Sequence, residues 1–358
     1  MLKTAIVGAT GIVGQQFVVA LKNHPWFEIS CLAASERSAG KTYLEALKDE
    51  KTGALGWFCE EEPAHSALKM KVENAAEINP SKVDIIFSAI GAEQALSLEP
   101  KFAKDTPVIS TAAAFRYEVD VPVLIPGVNP EHMKLIDIQK KRRNWNGFII
   151  PIPNCTATGL VISLKPIYDS FGLNMVIMTS MQAISGAGRS PGVIGLDIID
   201  NLIPFIPKEE EKVQTETLKI LGEYKGKGIT AAGFKVSCTC TRVDVKDGHT
   251  ESVFVSTKKK CDVQDVKDAM KKFSGVLQKF NLPSAPREMI VVLDDPFRPQ
   301  PRLDRDTDGG MATVIGRIRK DDAVENGIKY VLVSHNTKMG AAKGAVLVAE
   351  SLVKAKYI

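Results

Sequence analysis

The chain reads as an α/β protein: a doubly wound parallel sheet at the N-terminus followed by a second domain of α+β type. Three observations predict this. The apolar run LKTAIV at 2–7 ends in GATGIVG and continues as QQFVVALKNHP, where Ile12, Val13, Phe17 and Leu21 recur at helical spacing until Pro25 stops the pattern. Further apolar strands, FEISCLAAS, VDIIFSAI and PVIST, alternate with helical segments over residues 1–150, as a parallel sheet requires. After Cys155 the pattern changes. A helix over 156–171 precedes long alternating strands at 174–183, 229–244 and 249–257, which predict a larger antiparallel or mixed sheet.

The length of 358 residues fits about two cores. Between the first two strands of the second domain, residues 186–225 form a loop and helical insertion, and 336–358 read as an Ala/Val/Leu-rich helix. The net charge of +4 resides partly in two short, separate runs, KKRR at 140–143 and KKK at 258–260, best read as solvated surface; no nucleic-acid partner is expected. No apolar run approaches the roughly 18 residues of a membrane span, and the N-terminus lacks the features of a secretory signal. A cytoplasmic protein without a membrane partner is expected. The six cysteines show no CxxC pair and no zinc-type Cys/His spacing, so no metal is expected. Cys238 and Cys240 share one face of a strand, where packing accounts for them.

Gly8, Gly11 and Gly14 are spaced G-x-x-G-x-x-G between a strand and a helix. That arrangement makes a tight turn, lets backbone approach a pyrophosphate and aims a helix N-terminus at it, as in a Rossmann-type dinucleotide site. Gly8, Thr10, Gly11, Ile12, Val13 and Gly14 are therefore expected to bind the cofactor. At the end of the second strand, Ser35, Arg37 and Ser38 suit a 2′-phosphate and favour NADP, with Glu36 among them as the one feature of an NAD site.

Cys155, in PIPNCTATGL, stands at or just before a helix N-terminus, where free N–H groups and the macrodipole stabilise a thiolate. A buried structural cysteine is the alternative. A nicotinamide cofactor beside a thiolate suggests an acyl group held on sulfur while hydride moves. Among five histidines His249 is the best partner, on a strand after an Asp-Gly turn and shortly after Arg242; His335 is next. If the two strands pair with Arg242 opposite His249, both side chains project from one face, whereas a two-residue Asp-Gly turn gives another register.

The glycine loop, PNCT around Cys155, MQAISGAGRSPG at 181–192, EEEKVQTETLKIL at 209–221 and Arg242 with His249 seven residues on together resemble the aspartate-β-semialdehyde dehydrogenases, most closely the archaeal and fungal branch. The resemblance implies an NADPH-dependent, phosphorylating aldehyde dehydrogenase that converts L-4-aspartyl phosphate to aspartate semialdehyde and phosphate, in the biosynthesis of lysine, methionine, threonine and isoleucine. It implies a Rossmann-type domain at 1–150, completed by 336–358, and a catalytic and dimerisation domain of the glyceraldehyde-3-phosphate-dehydrogenase-like type at 151–335. By the same resemblance Cys155 is the nucleophile, Gln182 orients the substrate, His249 is the acid/base and Asn154 lends its amide to the oxyanion. Arg242 grips the α-carboxylate, Glu209 faces the ammonium, Lys212 and Arg116 bind phosphate, and Asn336 lies near the nicotinamide. For Lys212 and Glu209 the bland alternative is an i,i+3 pair on a helix surface. The apolar insertion VIGLDIIDNLIPFIP fits a homodimer or homotetramer. Other readings are a malonyl-CoA reductase, an N-acetylglutamyl-phosphate reductase, or an NADP-binding sensor without turnover.

Overall fold

A computed structural model describes residues 1–188, 192–193 and 195–358. The chain forms two compact units, Met1–Val123 with Met133–Ile152 and Ala341–Ile358, and Leu124–His132 with Pro153–Gly340.

The first unit runs β1 (Leu2–Val7), α1 (Ile12–Ala20), β2 (Phe27–Ala34), α2 (Tyr43–Ala46), α3 (His65–Lys69), β3 (Val72–Asn74), β4 (Ile85–Ser88), α4 (Ala92–Ala103), β5 (Val108–Ser110), α5 (Leu135–Arg143) and β6 (Ile149–Pro151). Its six strands are ordered β3-β2-β1-β4-β5-β6, all parallel. This is the dinucleotide-binding order, with its switch point between β1 and β4. Short strands of Val, Ile and Phe are buried on both faces, as parallel sheets require.

The second unit runs α6 (Cys155–Phe171), β7 (Leu173–Gln182), α7 (Gly195–Ile198), β8 (Leu202–Ile203), α8 (Glu209–Ile220), β9 (Glu223–Tyr224), β10 (Ile229–Thr230), β11 (Lys235–Val243), β12 (His249–Thr257), α9 (Val263–Ser274), β13 (Ile290–Val292), α10 (Pro301–Asp304), β14 (Thr313–Asp321) and β15 (Gly327–Ser334). Seven of its strands form a mixed sheet ordered β13-β14-β15-β12-β7-β11-β8. Alternation along β7 turns Val176, Met178, Ser180 and Gln182 inward, while Ile177 stays 40% exposed on the other face. The chain then returns to the first unit as α11 (Ala342–Lys354), tied there by His24 Nε2 to Glu350 Oε1 at 2.8 Å.

Three expectations need correction. First, the Arg242 and His249 strands do not pair. β7 lies between them, parallel to β11 and antiparallel to β12. Parallel strands need a long crossover, and the 183–234 segment containing α8 supplies it. The Asp-Gly at 247–248 is therefore no hairpin turn; Gly248, at φ +94°, launches β12 beside β7. Second, the strand expected at 229–244 is divided, with the β9–β10 ladder ending at Thr230 and β11 beginning at Lys235. Third, residues 124–132 leave the first unit: His132 bonds Gly222 O at 3.0 Å, and Gly127 has no room for a Cβ against Val276 and Met289. Residues 336–340 likewise stay with the second unit, and the last helix starts at Ala342. Among the described residues no helix is long and apolar enough to cross a membrane.

Candidate active site

Asn154 is the N-cap of α6, its Oδ1 accepting from the N–H groups of Thr156 (2.9 Å) and Ala157 (3.1 Å). That cap places Cys155 as the first residue of a 17-residue helix, at the positive end of the dipole. Asn154 is itself held from α8. Its backbone N–H donates to Glu216 Oε2 at 2.6 Å and its Nδ2 to Glu209 Oε1 at 2.8 Å. Gln182 Nε2 also donates to Glu209 Oε1, at 3.2 Å, and Lys212 Nζ lies 3.6 Å from Glu209 Oε2. The i,i+3 pair of Glu209 and Lys212 thus forms, but on a buried carboxylate that also joins Asn154, just before Cys155, to Gln182 of β7. The Asn154 amide oxygen is committed to capping, and one of its N–H bonds to Glu209.

From the sheet side, Arg242 and Gln182 are partners in the β11–β7 register, and His249 opens β12, whose next residue pairs with Met181. Three adjacent strands therefore deliver Gln182, Arg242 and His249 to one edge, all buried. His249 Nε2 is 3.2 Å from Cys155 Sγ, and its Nδ1 accepts the Ala183 N–H at 3.1 Å. Burial, then Arg242 and His335, push the His249 pKa down to about 3. Arg242 Nη1 donates to Ala183 O at 2.8 Å, and among the described residues no carboxylate lies within ion-pair distance of it. A buried guanidinium lacking a carboxylate is costly, so this arrangement suits an anion arriving as substrate.

Two glycines keep the centre open. A Cβ on Gly186 would meet Arg242 Nη1 at 2.9 Å and His249 Cε1 at 3.1 Å, and one on Gly340 would meet Cys155 Cβ at 2.9 Å. Asn336 accepts the Gly248 N–H at 2.8 Å and donates to Ser185 Oγ at 2.8 Å, fixing the start of β12. His335 is buried near Asp306 Oδ1 (3.6 Å), which Lys338 also reaches at 2.9 Å; burial and Lys338 lower the imidazole to about 4.

Arg116 belongs to the first unit, where it donates to Thr111 O at 3.0 Å. In the glycine loop, Gly8 has φ +85°, and a Cβ there would lie 2.4 Å from Ala89 O; at Gly14 it would lie 2.1 Å from Gly8 O. Gly11 is different: a Cβ there meets nothing closer than 3.5 Å within the chain. Its bareness leaves the α1 N-terminus approachable, as a pyrophosphate needs, with Thr10, Ile12 and Val13 half-buried alongside. At the end of β2, Ser35 and Arg37 are exposed, whereas Ser38 is buried and its N–H closes a turn on Ser35 O. These residues fit NADP. Sequence reasoning missed Glu216, the Ala183 N–H, Ser185, Gly186 and Gly340; only Glu216 left a signal, standing two turns after Glu209 on the same helix face. Arg189, Ser190 and Pro191 of the 181–192 motif, and Ile194 of the apolar insertion, lie outside the described residues.

Residues 3–136 match the NAD-binding domain of semialdehyde dehydrogenases and residues 164–339 their dimerisation domain. The aspartate-semialdehyde dehydrogenase of Methanothermobacter thermautotrophicus is 48% identical over 350 residues, 98% of each chain. The chain belongs to the aspartate-semialdehyde dehydrogenase family. A crystal structure of the Candida albicans aspartate-semialdehyde dehydrogenase with NADP superposes with a TM-score of 0.89 at 38% identity, covering all of both chains. The family's sequence neighbourhood also includes a malonyl-CoA reductase (NADP) from Metallosphaera sedula, 39% identical over 363 residues and all of this chain.

Proposed function

We propose that this protein is an aspartate-semialdehyde dehydrogenase that reduces L-4-aspartyl phosphate to L-aspartate 4-semialdehyde and phosphate with NADPH, in lysine, methionine, threonine and isoleucine biosynthesis. The observation that carries the reading is the 3.2 Å contact between Cys155 Sγ and His249 Nε2 at the N-terminus of α6. There the Cys155 thiolate attacks the acyl carbon, phosphate departs with the C–O bonding electrons, and the thioester waits for hydride. NADPH supplies that hydride; the resulting thiohemiacetal oxyanion collapses to aldehyde and thiolate. Gln182 orients the substrate and the thioester, and the Cys155 N–H holds the acyl oxygen, helped by the remaining N–H of Asn154. Arg242 grips the α-carboxylate, Glu209 faces the ammonium, and Lys212 and Arg116 take the phosphate.

The glycine loop, Ser35, Arg37 and Ser38 are read as cofactor-binding residues, and Asn336 as a residue for the nicotinamide. The exposed sheet face around Ile177 supports assembly as a homodimer or a tetramer of such pairs; the reading is of a cytoplasmic enzyme. Malonyl-CoA reduction is the second reading, favoured by the Metallosphaera relative. Glu209 separates the two, because a buried carboxylate suits a substrate ammonium that malonyl-CoA lacks. The test is NADPH formation from aspartate semialdehyde, phosphate and NADP, run beside NADPH oxidation with malonyl-CoA. Turnover of malonyl-CoA alone would overturn the assignment. Cys155→Ala should abolish turnover while NADPH still binds.

A further inference from the structure

One peptide of the glycine loop owes its orientation to a side chain outside the loop. The Gly11 N–H donates to Gly8 O at 3.1 Å, which closes a four-residue turn from Gly8 to Gly11. That bond does not decide which way the central peptide, Ala9–Thr10, faces, because turns of types I and II differ by a flip of that unit. Here the peptide is held. The Tyr43 hydroxyl donates to Ala9 O at 2.7 Å, from a ring that is fully buried. The C=O and N–H of a trans peptide point in opposite directions, so drawing the carbonyl toward Tyr43 turns the Thr10 N–H away from it. Among the described residues, no backbone carbonyl accepts from the N–H of Thr10, Ile12 or Val13, and no side chain caps α1. We propose that Tyr43 is a positioning residue for cofactor recognition: its hydroxyl holds the Ala9–Thr10 peptide so that the Thr10 N–H joins those of Ile12 and Val13 as a donor to the NADP pyrophosphate. This rests on the glycine loop being the cofactor's phosphate site.

Tyr43 is itself fixed from two sides. Thr42 caps α2 in a capping box with Glu45, and the Tyr43 N–H donates to Met70 O at 2.8 Å, so the ring enters the core from a set backbone. Burial pushes the phenol pKa up, which keeps the hydrogen on oxygen and the hydroxyl a donor. A second buried side chain holds the next peptide. Gln15 Nε2 donates to Thr10 O at 3.1 Å and to Gly56 O at 2.7 Å, while its Oε1 accepts the Phe58 N–H at 2.7 Å. With its carbonyl on Gln15, the Thr10–Gly11 peptide sends its N–H back to Gly8 O and closes the turn. The two peptides therefore divide the work, one setting the shape of the turn and the other aiming a donor outward. Thr10 lies outside the left-handed region. A full flip of Ala9–Thr10 would drive it toward positive φ, which a β-branched residue resists, so loss of the hydroxyl should loosen this peptide rather than invert it.

Tyr43→Phe keeps the ring and removes the hydroxyl. Three probes separate the parts of the cofactor: NADPH, 2′-phospho-ADP-ribose, which lacks the nicotinamide, and 2′-AMP, which lacks the pyrophosphate as well. In calorimetric titrations the variant should bind the first two about 3- to 10-fold more weakly than wild type, the effect of one net hydrogen bond, and should bind 2′-AMP equally well. Equal weakening of all three would make Tyr43 a structural residue only, and undiminished binding of NADPH would likewise overturn the proposal. A wild-type protein that does not bind NADPH would overturn the cofactor reading beneath it, whereas wild-type binding with an unaffected variant removes Tyr43 alone. A second measurement needs no variant. In wild-type protein labelled with ¹⁵N-threonine, the Thr10 amide resonance should move when 2′-phospho-ADP-ribose is added and stay in place with 2′-AMP. A Thr10 amide that answers both probes alike, or neither, overturns the proposal even if Tyr43→Phe does not fold.

Discussion

Arg242 illustrates what a single residue decides. Its guanidinium is buried and is anchored through Nη1 to Ala183 O, with no carboxylate at ion-pair distance among the described residues. A guanidinium makes two parallel charge-assisted bonds to a carboxylate, and lysine preserves the charge without the fork. Arg242→Lys should fold and bind NADPH, yet lose kcat/KM for aspartate semialdehyde by roughly 10 to 150-fold, the equivalent of one charge-assisted hydrogen bond at about 1.5 to 3 kcal/mol. Steady-state kinetics of the purified variant, beside propanal as an aldehyde without the α-carboxylate, check it. A variant equal to wild type would remove the grip from the mechanism.

At the scale of elements, the position of Cys155 depends on one helix holding the start of another. Glu209 and Glu216 lie two turns apart on α8, and both bind Asn154, the cap of α6. Glu216→Ala strips the Asn154 N–H of its acceptor and should cost about 1.5 to 3 kcal/mol of stability, while Glu216→Gln keeps an acceptor oxygen and should cost less. Urea unfolding ranks the two, and Cys155 alkylation should be altered in the alanine variant only. Local elements such as α1, α6 and the glycine loop were legible because periodicity and turn chemistry are written in neighbouring residues. The β11–β7–β12 order was not, because ladder partners are chosen across a crossover of some fifty residues. Glu216 escaped for a related reason. In TETLKIL it reads as a solvated helix residue, and only the packing of α8 on the α6 cap buries it.

For the molecule as a whole, the groups buried in their neutral forms set how stability depends on pH. Burial depresses His249, His335 and His132, so each binds a proton on unfolding below about pH 6.5; their stabilisation is present above that pH and lost as pH falls. Glu99 and Glu251 run the other way. Burial raises both carboxyls, so their contribution is complete below about pH 4.3 and is lost as pH rises. Between those limits three imidazoles outweigh two acids, and above about pH 6.5 only the acids act, which predicts a stability maximum near pH 6.5. Glu251 permits the sharper test. Neither of its carboxyl oxygens has a hydrogen-bond partner among the described residues, and Oε1 lies in the core beneath Gly159. Glu251→Gln copies the protonated side chain and deletes the cost of keeping it protonated. The variant should match wild type near pH 4 and grow more stable than it as pH rises, by up to about 1.4 kcal/mol per unit until the native carboxyl itself ionises. Urea midpoints at a series of pH values measure the difference, and a gap that stays constant with pH would mean that Glu251 is ionised in the folded protein.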